Sequence, residues 1–213
     1  MKWLEIDIEE TRKWERFYRA SFFNSLAGFK SANLIGTINQ AGQSNLAIFF
    51  SVIHVGANPP LLGLLFRPHT VRRDSLENIR AIKLFTVNSV QKEWTEAAHG
   101  TAANYEAGVS EFKANGLTEE FLGGAKVPFV KESKIKSLCR LEEEHPVAAN
   151  GTIFMVAAIE KVYLQEGLIA DDGLIQHDQA GTVAINALDT YYTANLFGQY
   201  DYARPGERVK PKN

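Results

Sequence analysis

Residues 36–88 read GTINQAGQSNLAIFFSVIHVGANPPLLGLLFRPHTVRRDSLENIRAIKLFTVN and decide the fold. Runs rich in Ile, Leu, Phe and Val predict strands over 32–38, 46–55 and 61–66. The polar, glycine-containing turn between the first two runs favours a β-hairpin. The segment 58–60 separates the last two runs, because neither of its two prolines can donate a hydrogen bond to a ladder.

A helix and a further strand follow within the same stretch. Asp74 and Glu77 have the spacing of a capping box, which predicts a helix with Asp74 as its N-cap. The helix should run to about Lys83 and bury its apolar face against the sheet. Residues 84–90 then predict the next strand.

The turn before that helix, residues 67–75, is dense in groups that bind anions. It holds three arginines, one histidine, one threonine and one serine. Cationic and hydroxyl groups that lead into a helix N-terminus suit a phosphate group. The alternative is an ordinary polar loop that only starts the helix, and an N-cap carboxylate at Asp74 would compete with an anion for the helix N–H groups.

The predicted elements outside this stretch are peripheral helices and further strands. Residues 1–28 predict an N-terminal helix over 7–27, whose aromatic face we expect to pack on the core or on a partner subunit. Residues 91–123 predict two or three short helices that form an insertion outside the sheet. Strand composition returns at 127–130, 135–141 and 151–164.

The C-terminal part of the chain gives weaker signals. His145-Pro146 predicts a loop before the last long strand. Residues 171–173 predict a turn, residues 189–192 are aromatic without a regular pattern, and the polar tail 205–213 is predicted to be mobile. Close strand spacing with few helices favours a mainly β, antiparallel barrel with peripheral α-helices in a single domain over 1–213.

Composition excludes several classes of function. The 213 residues carry a formal charge of −2, which gives no general attraction to nucleic acid or to acidic lipid. No run is long and uncharged enough to predict a membrane-spanning helix, and the charged N-terminus lacks the apolar core of a signal peptide. The single cysteine, Cys139, suits a reducing cytoplasm and is predicted to be buried in a strand.

Catalytic and metal-binding patterns are missing from the sequence. The five histidines are isolated, and no serine or cysteine lies in a known nucleophile motif. No His or Cys pair has ligand spacing, so we assign neither a metal site nor a catalytic residue.

Five short motifs in order resemble the flavin reductase-like family over about residues 33–165. They cover the hairpin, the proline turn, the basic turn and two later strands. The motifs are Gly42-x-x-Asn45-Leu46-Ala47, Asn58-Pro59-Pro60, Arg73-Asp74-Ser75-x-x-Asn78-Ile79, Phe85-x-Val87-Asn88 and Leu138-Cys139-Arg140-Leu141.

The resemblance implies a Greek-key split β-barrel that binds FMN near the interface of a homodimer. The matching positions imply that Asn45, Leu46 and Ala47 line the flavin ring through backbone contacts. Arg73 and Ser75 match the basic and hydroxyl positions that would hold the phosphate. No nucleic-acid or membrane partner is implied.

Further cofactor-binding candidates come from the residues themselves. Arg67 and Thr70 belong to the basic turn and join the phosphate set. Phe49 or Phe50 could pack on the face of a planar heterocycle. The family commonly has a serine where Phe50 stands, and Ser51 supplies that hydroxyl only if the strand is irregular there, because neighbouring strand residues face opposite sides.

The leading functional hypothesis is an FMN-dependent oxidoreductase that takes a hydride from NADH or NADPH and passes electrons to free flavin or another acceptor. One alternative is an FMN-binding electron-transfer protein without NAD(P)H turnover. Another is a cofactor-free barrel that serves as an interaction module. We expect a cytoplasmic protein in each case.

Overall fold

The computed structural model describes residues 1–68, 73–106 and 108–212. Within them the α-helices are α1 (Arg16–Ser25), α2 (Asp74–Ile82), α3 (Thr95–Gly100), α4 (Glu111–Ala114) and α5 (His177–Ala180), with 3₁₀ helices at Glu10–Lys13 and Lys92–Trp94. The strands are β1 (Lys30–Ser31), β2 (Asn33–Ile38), β3 (Ser44–Phe49), β4 (Val52–Ala57), β5 (Pro60–Phe66), β6 (Leu84–Ser89), β7 (Glu119–Glu120), β8 (Phe129–Val130), β9 (Ile135–Val147), β10 (Thr152–Leu164), β11 (Val183–Asn186) and β12 (Thr190–Thr193).

Seven of these strands form one antiparallel sheet in the order β3-β2-β6-β9-β10-β5-β4. The two edge strands, β3 and β4, are consecutive in the chain, so the chain crosses from one edge to the other at Phe50 and Ser51. Phe49 of β3 and Val52 of β4 pack against the same core cluster, which shows that the curved sheet brings its edges together. The predicted mainly β antiparallel split barrel with peripheral helices is confirmed.

The prediction of one continuous strand over 46–55 is wrong. The strand ends at Phe49 and a new one begins at Val52, because the chain must change edges between them. The Leu65 N–H donates to the Ser51 carbonyl at 3.1 Å, so the backbone at the break bonds to β5.

Helix α2 packs its apolar face onto the barrel. Leu76 and Ile79 are buried in the main cluster, as the periodicity predicts. The predicted N-cap is one residue late, because Arg73 has the extended backbone of an N-cap and Asp74 is already helical. Lys83 ends the helix in a left-handed conformation with φ of 64°.

A second core cluster joins the insertion to the C-terminal part of the chain. The predicted short helices of residues 91–123 are confirmed, and Ala98 and Phe112 from them contact Val183 and Ile185 of β11. β11 lies between β1 and β12 in a three-stranded sheet. Residues 189–192 are therefore not irregular, because most of them pair with β11 as part of β12.

His145-Pro146 lies inside β9 rather than in a loop. The two residues pair with Phe154 and Ile153 of β10, which extends the ladder beyond the predicted end of the strand. The predicted burial of Cys139 is confirmed, and burial raises the pKa of its thiol to about 12.

The N-terminal segment forms a 3₁₀ turn and then α1, rather than one helix over 7–27. No residue of α1 is buried, and the side chains of Phe17 and Tyr18 are 75% and 63% exposed. Its aromatic face therefore does not pack on the core of this chain. None of the helices in the described ranges has the length and apolar character to cross a membrane.

Within the tail 205–213, the Lys212 ammonium forms an ion pair with Asp172 at 2.9 Å. The single-domain division and the mobility of this tail stay predictions.

Replacing Ile79 by alanine should test how firmly the barrel holds α2. Ile79 is fully buried, so Ile79→Ala should lower the free energy of unfolding by about 2–5 kcal/mol, which urea denaturation measures. Ile53→Ala on β4 is the control, because that side chain is 45% exposed and should cost clearly less. Equal losses for both variants would contradict this packing.

Candidate functional site

An open cleft of about 1220 Å³ lies beside the break between β3 and β4. The edge strand β3, the start of α2, and residues 101–106 and 108–111 of the insertion all line it. Lys30 and Leu188 also line it. The cleft therefore combines segments from the whole length of the chain.

Eight of the nine predicted cofactor-binding residues line this one cleft. Thr70 is the ninth, and it lies outside the described residues. The eight are Asn45, Leu46, Ala47, Phe49, Ser51, Arg67, Arg73 and Ser75.

A hydrogen-bonded network fixes the start of α2 against β3. The Asn45 side-chain amide donates to the Ser75 hydroxyl at 2.9 Å and to the Thr37 hydroxyl at 3.2 Å. Asn78 donates to the same Thr37 oxygen at 3.1 Å. Ser75 is only 6% exposed, and its own O–H can still donate while its oxygen accepts from Asn45. The network thus holds a hydroxyl at the cleft and the helix N-terminus beside it.

The N-terminus of α2 keeps its capacity for an anion. Arg73 is the N-cap residue, and an arginine side chain has no acceptor with which to cap the helix. Asp74, which would have competed as N-cap, lies one position inside the helix. A helix N-terminus with an adjacent guanidinium and a hydroxyl fits a phosphate group.

The two residues at the barrel break both line the cleft. Phe50 and Ser51 lie outside β3 and β4, so the strict alternation of strand side chains does not separate them. Phe49 lies edge-to-face on Phe66 at a centroid distance of 5.0 Å and packs against the barrel core, whereas Phe50 packs against the second cluster. A cofactor contact from the Ser51 hydroxyl stays a prediction.

Glu111 is a cleft residue that sequence reasoning missed. It begins α4, and its carboxylate accepts the Leu46 N–H at 3.2 Å. Burial, and to a lesser extent the nearby charge of Asp74, raise the pKa of Glu111 above its ordinary value. One of the predicted backbone contacts, that of Leu46, is therefore already satisfied by the insertion.

A second carboxylate attaches the insertion to the same strand. Glu119 accepts a hydrogen bond from the Ser44 hydroxyl at 2.9 Å. Ser44 and Leu46 lie two residues apart on β3, so the insertion bonds to this strand through one side chain and one backbone N–H. No local pattern in the sequence could reveal these pairs, because their partners are 65 and 75 residues apart.

Comparison with known proteins assigns the chain to a family. The model of the flavin reductase like domain matches residues 27–183, so the chain belongs to this family. The matched range covers the barrel, α2, the insertion and most of the residues that line the cleft.

Three solved structures share this fold. A candidate flavin reductase with a split barrel domain from Shewanella frigidimarina NCIMB 400 is 44% identical, with a TM-score of 0.91 over 94% of this chain and 100% of that one. Nitrilotriacetate monooxygenase component B from Bacillus cereus is 21% identical, with a TM-score of 0.80 over 92% and 98%. An FMN-binding protein from Thermus thermophilus is 16% identical, with a TM-score of 0.65 over 79% and 88%.

The raised pKa of Glu111 predicts a pH-dependent stability. A carboxyl whose folded pKa lies above the ordinary 4.5 destabilises the fold when it is ionised, and this cost disappears as the pH falls from above the folded pKa to below 4.5. Relative to Glu111→Gln, the wild-type free energy of unfolding should therefore rise as the pH falls through that window. Urea denaturation at a series of pH values measures the difference.

Glu106→Gln, at an exposed position of the same insertion, corrects for the simple loss of one negative charge. A wild-type advantage that falls with decreasing pH, or that does not change, would show that Glu111 is not destabilised in the cleft.

Proposed function

We propose that the cleft binds FMN, with the phosphate at the start of α2 and the flavin ring along the edge of β3. The observation that carries this proposal is the buried Ser75 hydroxyl, which Asn45 holds at a helix N-terminus beside Arg73. The network joins the two parts of the cofactor site, because Asn45 belongs to the ring segment and Ser75 to the phosphate segment. The name of the Thermus thermophilus protein supports FMN as the ligand.

The edge of β3 suits a planar heterocycle. Because the Leu46 N–H points away from the ladder towards Glu111, alternation along the strand puts the Ile48 N–H on the same side. Ile48 and Ala47 line the cleft, and Phe50 offers an aromatic face nearby. A flavin ring presents several acceptors and one N–H donor along its edge, which such a backbone can match.

We further propose that the protein is an NAD(P)H-dependent flavin oxidoreductase whose electrons pass to free flavin or to another acceptor. FMN supplies the hydride chemistry when it is bound, and the chain positions it and limits its exposure to water. The family and the names of the Shewanella and Bacillus proteins support this class of reaction. A cytoplasmic location is part of the same proposal.

A homodimer fits the exposed aromatic surface of the N-terminal segment. Phe17, Tyr18 and Leu26 are each more than half exposed in the single chain. A second copy that covers this face would remove apolar area from water, which is the main source of stability in obligate dimers. Dimerisation through α1 also satisfies the expectation that its aromatic face has a partner.

Removing the phosphate contacts should weaken the binding of FMN but not that of riboflavin. Replacing Arg73 and Ser75 together by alanine should weaken FMN binding by about 2–4 kcal/mol, because two charge-assisted contacts are lost. Riboflavin lacks the phosphate and should bind almost equally to both proteins. Calorimetric titration of both ligands measures the difference.

Arg80→Ala is the matched control, since Arg80 lies on the same helix and bonds to Glu144 outside the cleft. It should leave both affinities unchanged. Equal losses of FMN and riboflavin in the double variant would mean that the turn is structural and holds no phosphate.

Anaerobic mixing of the FMN-loaded protein with NADH and with NADPH tests the reaction. At least one nucleotide should bleach the yellow flavin absorbance, and free flavin should then reoxidise it over many turnovers. A flavin that dithionite bleaches and neither nucleotide does would contradict the proposed oxidoreductase and favour an electron carrier.

A further inference from the structure

Lys30 is held at the cleft by two backbone carbonyls, one from nearby α1 and one from a distant segment of the chain. Its ammonium donates to the Asn24 carbonyl at the end of α1 at 3.3 Å and to the Ala187 carbonyl between β11 and β12 at 2.9 Å. An ammonium has three donors, so one remains to point at a ligand. Lys30 also lines the cleft. The position of this charge is therefore set by the fold rather than by a flexible surface side chain.

Ala187, whose carbonyl accepts from Lys30, has an unusual backbone conformation. Ala187 has φ of 52°, a left-handed geometry that residues other than glycine rarely adopt. Such conformations persist where the surrounding structure requires them, and they cluster at ligand sites. Here the conformation accompanies the bond to Lys30 and places Leu188 at the cleft.

Two cationic side chains, Lys30 and Arg67, line the same cleft. Burial, and then the charge of Arg67, lower the pKa of Lys30. In the parts of the chain that the structure describes, no carboxylate lies within 4.0 Å of the Lys30 ammonium, although several other lysines have such partners. Like charges that are kept close together at a cavity favour an anionic ligand between or beside them.

Lys30 belongs to a different segment of the chain from the proposed phosphate position at the start of α2. Lys30 is on β1, next to segments near residues 24 and 187, whereas Ser75 bonds to β3. The cleft of about 1220 Å³ also exceeds the range of about 300–1,000 Å³ that is usual for a pocket with one small ligand. There is room for a second anionic group beyond the phosphate of FMN.

We propose that Lys30 and Arg67 form a second anion subsite, which takes the diphosphate of a dinucleotide, so that Arg67 serves this subsite rather than the FMN phosphate. The inference rests on the proposed function, because a dinucleotide reaches this cleft either as FAD in place of FMN or as NAD(P)H beside it. Both ligands carry the same diphosphate, and the charge pair recognises that group rather than the rings at its two ends.

Titration of inorganic pyrophosphate into the wild-type protein is the first test, and it needs no variant. Pyrophosphate should bind the protein when FMN is saturating, and should do so without displacing it. No binding to the FMN-loaded protein, or displacement of FMN in proportion to the added pyrophosphate, would overturn the separate subsite. Calorimetry and flavin fluorescence measure the two effects.

Lys30→Gln is the second test, with Lys161→Gln as its control. Lys161 also donates to a backbone carbonyl, that of Gly123, but it is exposed and outside the cleft. Lys30→Gln should weaken pyrophosphate binding about 10-fold or more, the loss of one charge-assisted contact. Its affinity for FMN should not change, and Lys161→Gln should resemble wild type. Thermal melting checks that both variants fold.

Two further ligands identify the source of the diphosphate. ADP-ribose contains a diphosphate like that of a nicotinamide dinucleotide but has no nicotinamide ring, so its titration into the FMN-loaded protein measures binding without hydride transfer. FAD is titrated into the FMN-free protein. If Lys30→Gln binds either ligand more weakly while its affinity for FMN is unchanged, the subsite is supported and its ligand is identified. Unchanged binding of both, or an equal loss of FMN affinity, overturns it.

The outcomes distinguish failure of the subsite from failure of the proposed function. If FMN does not bind but Lys30→Gln weakens pyrophosphate binding, the subsite stands and the function is wrong. If NADH or NADPH reduces the bound flavin and Lys30→Gln changes neither pyrophosphate nor dinucleotide binding, the function stands and the subsite is wrong.

Discussion

The free edge of β3 is the constraint on which the cleft depends. A strand at the edge of a sheet has backbone groups without ladder partners, and these groups attract other chains unless they are covered. The break at Phe50 and Ser51 prevents β4 from pairing with β3. Glu111 of the insertion accepts one N–H of this edge, while Glu119 and Ser75 of α2 bond to the side chains of Ser44 and Asn45 on the same strand. The elements that cover the edge are the ones that build the binding site.

The distribution of charge within the cleft follows from the same arrangement. Carboxylates from the insertion, such as Glu111, lie against the part of β3 that would face the flavin ring. Cations are contributed by Arg67 and Arg73, which belong to the basic turn, and by Lys30 of β1. Anionic ligand groups are therefore favoured near these cations rather than beside Glu111, which gives a bound nucleotide a direction.

Local sequence patterns predicted the barrel well because strands and α2 depend on neighbouring residues. The hairpin at β2 and β3 and the buried face of α2, with Leu76 and Ile79, need only periodicity and turn chemistry. The ordered motifs then predicted that Asn45 and Ser75 belong to one binding site, and in the structure these two residues share a hydrogen bond at the cleft. Thr70 lies outside the described residues and its assignment stays a prediction.

The parts that the sequence did not reveal depend on contacts between distant segments. Glu111 reaches the Leu46 N–H only after the insertion folds onto β3, and Lys30 reaches the Ala187 carbonyl across 157 positions of the chain. The strand at Thr190–Thr193 was missed because its pairing with β11, rather than its own composition, makes it a strand. The break in 46–55 likewise reflects the closure of the barrel and not a local signal.

A crystal structure of the protein with FMN tests the central claim most directly. The account predicts that the phosphate accepts hydrogen bonds from the Ser75 hydroxyl and the first turn of α2, with the flavin ring against the edge of β3. FMN bound with its phosphate away from α2, or bound outside this cleft, would contradict it.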